Sequence, residues 1–195
     1  MSKQESDESL MQRYRDGNAA AFDELYKRHR PALYRYFLRQ TGSAPVAEEL
    51  YQDVWMKLIR AKDRYEVRAK FTTYLYHMAH NRLIDYYRRK RPELANSFTD
   101  EEGESLWEQL PEDAAQEPDQ VAERRLKMDE LKQAIEALPE TQKEALLLRE
   151  EAGMSLDEIA EATGVNRETA KSRLRYAVAK LRKTFEGLED NNDTT

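Results

Sequence analysis

The chain has 195 residues, 32 basic and 38 acidic side chains, a formal net charge of −6, six glycines, six prolines and no cysteine. The missing thiols exclude disulfides, thiolate metal sites and cysteine nucleophiles, and the few turn formers exclude an all-β fold. The N-terminal MSKQESDESL has no apolar core for a signal peptide, and no apolar run reaches membrane-span length, so a soluble cytoplasmic protein is expected.

Charge is unevenly placed. Residues 1–91 carry 19 basic and 12 acidic side chains, residues 92–120 carry ten acids and no Lys or Arg, and residues 121–188 balance 13 against 13. The average therefore hides two basic surfaces and an acidic strip. That strip holds Pro92, Pro111 and Pro118 and loses helical apolar spacing. It is read as a flexible linker, with Leu106, Trp107 and Leu110 a short docking element within it. Two small helical domains follow, an all-α protein: 1–91, linker 92–120, 121–188, and a disordered acidic tail 189–195.

In chain order, Phe22, Leu25, Tyr26, Leu33, Tyr36 and Phe37 recur at helical spacing, interrupted by Pro31, where a kink is expected. Gly42 is placed to end that helix and Ser43 to cap the next, with Pro45 in its first turn. This second helix lines up Leu50, Val54 and Leu58 and shows a mixed stripe of Glu49, Asp53, Met56 and Arg60, with Gln52 and Lys57 alongside. Composition alone makes that stripe a solvated face.

The helix from about Lys70 to Arg89 turns Phe71, Leu75, Ala79 and Leu83 inward. It interleaves Tyr74, Tyr76, Tyr86 and Tyr87 with Arg82, Arg88, Arg89, Lys90 and Arg91. Rings that stack on unpaired bases and cations that hold phosphates suit single-stranded nucleic acid; some of the rings, Phe71 first, belong to the core. His77 and His80 lack further ligands nearby, so they read as surface or DNA-facing imidazoles rather than a metal pair.

Beyond the linker, helices are expected over Val121–Leu138 and Glu140–Ala152. Ser155 and Glu158 then form a capping box, Gly164 breaks the helix they start, and Asn166 caps a last helix to about Phe185. Ala160, Gly164, Ala170 and Leu174 have the spacing of a helix-turn-helix. Between Arg167 and Lys183 stand seven basic residues and one acid, as a helix entering the major groove requires. No phosphate loop or nucleophile elbow appears, so no catalytic residue, metal or cofactor is assigned.

Three segments in this order, AEELYQDVWMKLIRA, FTTYLYHMAHNRLIDYYRRKR and SLDEIAEATGVNRETAKSRLRYAVAKLRK, resemble a bacterial extracytoplasmic-function sigma factor of the sigma-70 family. The resemblance implies a non-enzymatic specificity subunit that binds core RNA polymerase and directs promoter-specific initiation. Region two would read and melt the minus-ten element, region four would read the minus-thirty-five element, and the middle domain of larger sigma factors would be missing. Residues matching the polymerase-binding surface are Glu49, Gln52, Asp53, Met56 and Lys57. Those matching the minus-ten surface are Tyr65, Arg68, Tyr74, His77, Asn81, Arg82, Asp85, Arg88 and Arg89. Tyr74 stands where the family usually has Trp.

The recognition helix would offer Arg167, Thr169, Lys171, Ser172, Arg173, Arg175 and Tyr176, with Arg167, Lys171, Arg173 and Arg175 as main contacts. Partners implied are core polymerase, promoter DNA, duplex at one element and single-stranded at the other, and an anti-sigma factor, the free protein being a monomer. The alternative is a helix-turn-helix regulator of another class that binds an operator without polymerase. Charge alone adds one expectation: the strip 92–120 lies over the basic faces of the free protein and suppresses DNA binding.

Overall fold

The computed structural model describes residues 5–90 and 130–192, with side chains in the last helix through Lys183. Among these residues there are helices and no strand. They are α1 (Asp7–Arg15), α2 (Ala19–Thr41), α3 (Ala44–Ala61), a 3-10 turn at Lys62–Arg64, α4 (Phe71–Lys90), α5 (helical over 130–136), α6 (Glu140–Ala152), α7 (Leu156–Thr163) and α8 (Arg167–Asn192). The linker segment 92–120, with Leu106, Trp107 and Leu110, lies outside the described residues.

Helix α1 goes beyond the sequence reading, which began its helices at Phe22. Ser6 caps it by accepting from the Ser9 amide, and Leu10 and Met11 are buried. Two acids of its first turn tie down later elements. The Asp7 carboxylate takes Arg28 and His29, each at 2.8 Å, and its pKa is lowered, by the His29 hydrogen bond first, against the effect of burial. Glu8 accepts from the backbone amide of Phe71 at 2.8 Å, so a side chain 63 residues upstream caps the start of α4.

Helix α2 runs on through Pro31, the point where the sequence places a kink, without ending. Proline removes one backbone donor and costs about 3 kcal/mol in a helix interior. Here the ring is on the exposed side, and Leu25, Leu33, Tyr36 and Phe37 are buried on both sides of it. Burial of that face outweighs the local penalty. At the other end of the chain α8 continues past Phe185 into residues expected to be a disordered tail. No proline stops it, and Gly187 costs only about 1 kcal/mol.

The two halves do not sit apart. Buried Leu33, Phe37, Leu50, Trp55, Phe71 and Leu83 share one continuous core with Leu147, Leu148, Ile159 and Ala170. Helix α6 lies against α2, and α7 against α4. The sequence suggested two separate small cores; the apolar face of α6 instead finds part of its cover on the first half.

Candidate nucleic-acid interface

The turn between α7 and α8 is built as its sequence requires. Ser155 Oγ accepts from the Glu158 amide at 3.3 Å while the Glu158 carboxylate accepts from the Ser155 amide at 2.7 Å. Gly164 has φ +69°, the left-handed region where a side chain is strained, and it lets the chain reverse. Asn166 Oδ1 then accepts from the Thr169 amide at 2.7 Å, starting α8. Ala160 and Ala170 are buried, as small residues are where two such helices meet, and Ala162 is buried toward another side of α7. This is a helix-turn-helix.

Along α8 the candidate residues divide by face. Arg167 is exposed and reaches Asp157 at 3.0 Å. Thr169, Lys171, Ser172, Arg175 and Tyr176 are partly exposed, and the Arg175 guanidinium lies 5.0 Å from the Tyr176 ring centroid. Arg173 does not join them. Only 5% exposed, it falls between Ala170 and Ala177 on the inward row, and its charge helps to depress the buried Glu144 carboxyl. Its three-residue offset from Ala170 and four-residue offset from Ala177 put it on the packed side of the helix. A main DNA contact was expected there; in this arrangement the side chain is a core cation.

Four of the nine minus-ten candidates, Tyr65, Arg68, Tyr74 and His77, help to line a cleft of about 380 Å³ between the 63–70 segment and α4. The Tyr65 and Tyr74 rings meet edge-on at 5.3 Å. Tyr65 is buried, and burial chiefly pushes its hydroxyl up to about 12. Arg68 is exposed and paired with Glu66. Asp85, Arg88 and Arg89 are exposed farther along α4, with Asn81 partly so. Glu161 of α7 contributes to the wall of the same cleft, and His77 Nδ1 lies 3.1 Å from the Ala162 carbonyl oxygen.

Two positions depart from expectation. Arg82 points to α3, where it donates to Asp53 at 2.7 Å and Glu49 at 3.0 Å. It therefore organises the acidic stripe more directly than it faces the cleft. His80 is buried, not a surface imidazole: it lies 2.8 Å from Glu144 of α6, which also accepts from the Tyr36 hydroxyl at 2.7 Å. Burial works to raise the Glu144 carboxyl, but facing His80 and the bonds it receives hold it below the ordinary value.

On α3, Glu49, Gln52, Asp53, Met56 and Lys57 are all exposed, opposite the buried Leu50, Val54, Trp55 and Leu58. Among the described residues, Met56 is one of two large apolar side chains left in solvent. Among the described residues no helix is long and apolar enough to cross a membrane, and no cluster of three His, Asp or Glu is placed to hold a metal.

Comparison with known proteins gives this arrangement its context. Residues 25–93 match the model of sigma-70 region 2, and residues 128–181 match that of sigma-70 region 4. The RNA polymerase sigma factor CarQ of Myxococcus xanthus is 30% identical over 92% of this chain and 97% of its own. The ECF RNA polymerase sigma factor RpoE of Cereibacter sphaeroides is 33% identical, over 89% and 92%. Among solved structures, the sigma factor RpoE of Bartonella quintana, in complex with the anti-sigma factor NepR, superposes with a TM-score of 0.62. It covers 85% of this chain and 96% of that one at 23% identity.

Proposed function

Because the chain belongs to the sigma-70 family, as a sigma factor of the extracytoplasmic-function type, we propose that it binds core RNA polymerase through α3 and directs it to promoters read at two places. The observation that carries this is the α3 face. Two carboxylates, a glutamine, a lysine and an unburied methionine share one side of a helix whose other side is core. A single exposed methionine is ordinary on a protein surface. What supports the reading is its place among Glu49, Gln52, Asp53 and Lys57, the positions that match the family's polymerase-binding surface, with Met a residue that interface centres favour.

The helix-turn-helix reads the minus-thirty-five duplex with Arg167, Thr169, Lys171, Ser172, Arg175 and Tyr176. Arginine and lysine supply phosphate clamps or guanine contacts, and serine and threonine supply shorter hydrogen bonds. The Tyr65, Arg68, Tyr74 and His77 cleft takes an unpaired base of the minus-ten strand, and Asn81, Asp85, Arg88 and Arg89 follow its backbone along α4. None of this requires bond-making by the protein, and the work is done in the cytoplasm, where polymerase is. An anti-sigma factor is the expected regulator, as NepR is the partner of the Bartonella protein.

Purified core polymerase and a promoter library test the reading. A sigma factor co-purifies with core and yields sequence-specific transcripts. The Asp53→Arg variant loses core association while keeping a normal circular dichroism spectrum: the reversal gives up the 2.7 Å bond from Arg82, but Asp53 is half exposed and Arg82 keeps Glu49 at 3.0 Å as a partner. Undiminished co-purification of that variant overturns the assignment of α3, and operator binding without any core association favours a regulator of another class.

A further inference from the structure

We propose that the groove between α2 and α3 is a binding site for a free nucleotide, its base against tyrosine rings and its phosphates on Lys27 and Arg30. The groove shares no residue with the minus-ten cleft or with the polymerase stripe of α3, and the proposal stands apart from the sigma-factor reading.

Helix α2 builds one wall from two neighbouring rows. Tyr26, Arg30 and Tyr34 follow at four-residue intervals, and Lys27, Pro31 and Arg35 run beside them. Glu48 and Tyr51 of α3 close the other side, around a groove of about 690 Å³, a size at which small-molecule sites are found. Tyr51 is buried, and the half-buried rings of Tyr26 and Tyr34 stand 6.3 and 6.0 Å from it. Trp55 backs Tyr26 at 5.0 Å. The rings thus hold one another in place while still lining the groove.

Unmet groups along this groove point to a ligand. The Tyr51 hydroxyl is shut off from water and completes no hydrogen bond, although the Tyr26 hydroxyl lies near it; folded proteins seldom leave such a group without a partner. Pro31 stands on the exposed face, where burying its own ring offsets little of its cost in a helix interior. At the groove it supplies a flat apolar ring and leaves the Lys27 carbonyl without its intrahelical donor. That is an open acceptor for the exocyclic amine of a base. Lys27 and Arg30 are exposed and make no ion pair among the described residues, Arg30 resting 5.9 Å from the Tyr26 ring centroid. Arg35 is already held by Glu151 at 2.7 Å, and the single acid of the groove, Glu48, is engaged by Gln52 at 2.7 Å. Two uncommitted cations beside ring surfaces match a phosphate joined to a planar base. Length decides between a nucleotide and a strand. From Tyr26 to Arg35 the helix rises about 13 Å, room for one base with its phosphates, whereas single-strand sites take about 4–16 nucleotides.

Trp55 gives the test its reporter. The chain has two tryptophans, so in a Trp107→Phe background Trp55 is the sole donor, close enough to the groove to pass excitation to a methylanthraniloyl label. Titrating the full chain with methylanthraniloyl-ATP and methylanthraniloyl-GTP should give saturable transfer below about 1 mM. Lys27→Glu with Arg30→Glu should weaken binding at least about tenfold, the worth of one charge-assisted contact. Its circular dichroism spectrum should stay normal, because both positions are exposed. Glu48→Gln should instead tighten binding by about threefold, since it removes a like charge facing the phosphates. Opposite signs in the two variants separate a site from general attraction to cations. No saturation with either nucleotide, or equal affinity in the Lys27 and Arg30 double variant, overturns the proposal. Unlabelled ATP should displace the label at a lower concentration than a twelve-residue oligothymidylate; stronger displacement by the strand overturns the assignment to a free nucleotide.

Discussion

Glu144 offers the sharpest test of how the two halves are held. In Glu144→Ala the Tyr36 hydroxyl loses its acceptor and His80 its carboxylate, at 2.7 and 2.8 Å respectively, and buried Arg173 loses a compensating charge. Each buried polar group left unsatisfied costs about 1–3 kcal/mol, and removing one partner of a buried charge pair costs about 3–5 kcal/mol. These penalties overlap, because all three groups share one carboxylate, so the expected loss is about 3–5 kcal/mol rather than their sum. Glu144→Gln keeps an acceptor for Tyr36 and gives up the charge, which lowers the loss to about 1–2 kcal/mol. Urea unfolding of the full chain followed by circular dichroism measures both. A double-mutant cycle with His80→Phe should show a coupling of about 1–3 kcal/mol. An alanine variant that loses less than about 1 kcal/mol, or a glutamine variant that loses as much as alanine, would refute the reasoning: the carboxylate would then not be a buried charged partner.

Further expectations follow from the same contacts. Arg173→Ala should lower the urea midpoint, whereas Lys171→Ala and Arg175→Ala should leave it in place and weaken duplex binding in gel-shift titrations; an Arg173 variant with native stability and lost DNA affinity would put that side chain back on the DNA. Glu8→Ala, by removing the acceptor at the Phe71 amide, should cost about 1 kcal/mol, the usual worth of a helix N-cap, read in the same unfolding assay. Glu158, lowered to about 2 first by its bond to Lys70, has a docked pKa below its ordinary 4.5. Its contribution is therefore complete above pH 4.5 and is lost as pH falls toward 2. Scattering should show expansion in acid that is smaller in Glu158→Gln; expansion on raising the pH from 5 to 8 would contradict the sign.

What was legible in the sequence is what depends on neighbours along the chain. Apolar spacing marked α2, α3 and α4, and the Ser155–Glu158 box, Gly164 and Asn166 marked both ends of the turn before α8. Contacts across the chain were not legible. Tyr36 and Glu144 are 108 positions apart, and nothing local to either announces the other. Charge alone puts Arg173 on the DNA face; its spacing from Ala170 and Ala177 puts it on the packed side. Arg82 was likewise read by composition, although a guanidinium one helix away from Glu49 and Asp53 had two carboxylates within reach. One signal was available and unused: Glu140, Glu144 and Glu151 share a face of α6 with Leu147, and acids there need partners. Helix α1 was missed because only Leu10 and Met11 are apolar and buried in it, too little for a periodicity to register.

That short first helix also bears on how the protein can be cut. The region-two match begins at residue 25, yet Asp7, Glu8, Leu10 and Met11 are stitched into α2 and the start of α4 ahead of it. A fragment trimmed to the matched residues would bare the surface that Leu10 and Met11 cover, strip Arg28 and His29 of their carboxylate, and leave the first amide of α4 without its acceptor. The stretch that kinship defines is shorter than the stretch that folds, so a domain excised for study should keep Ser6 and everything after it.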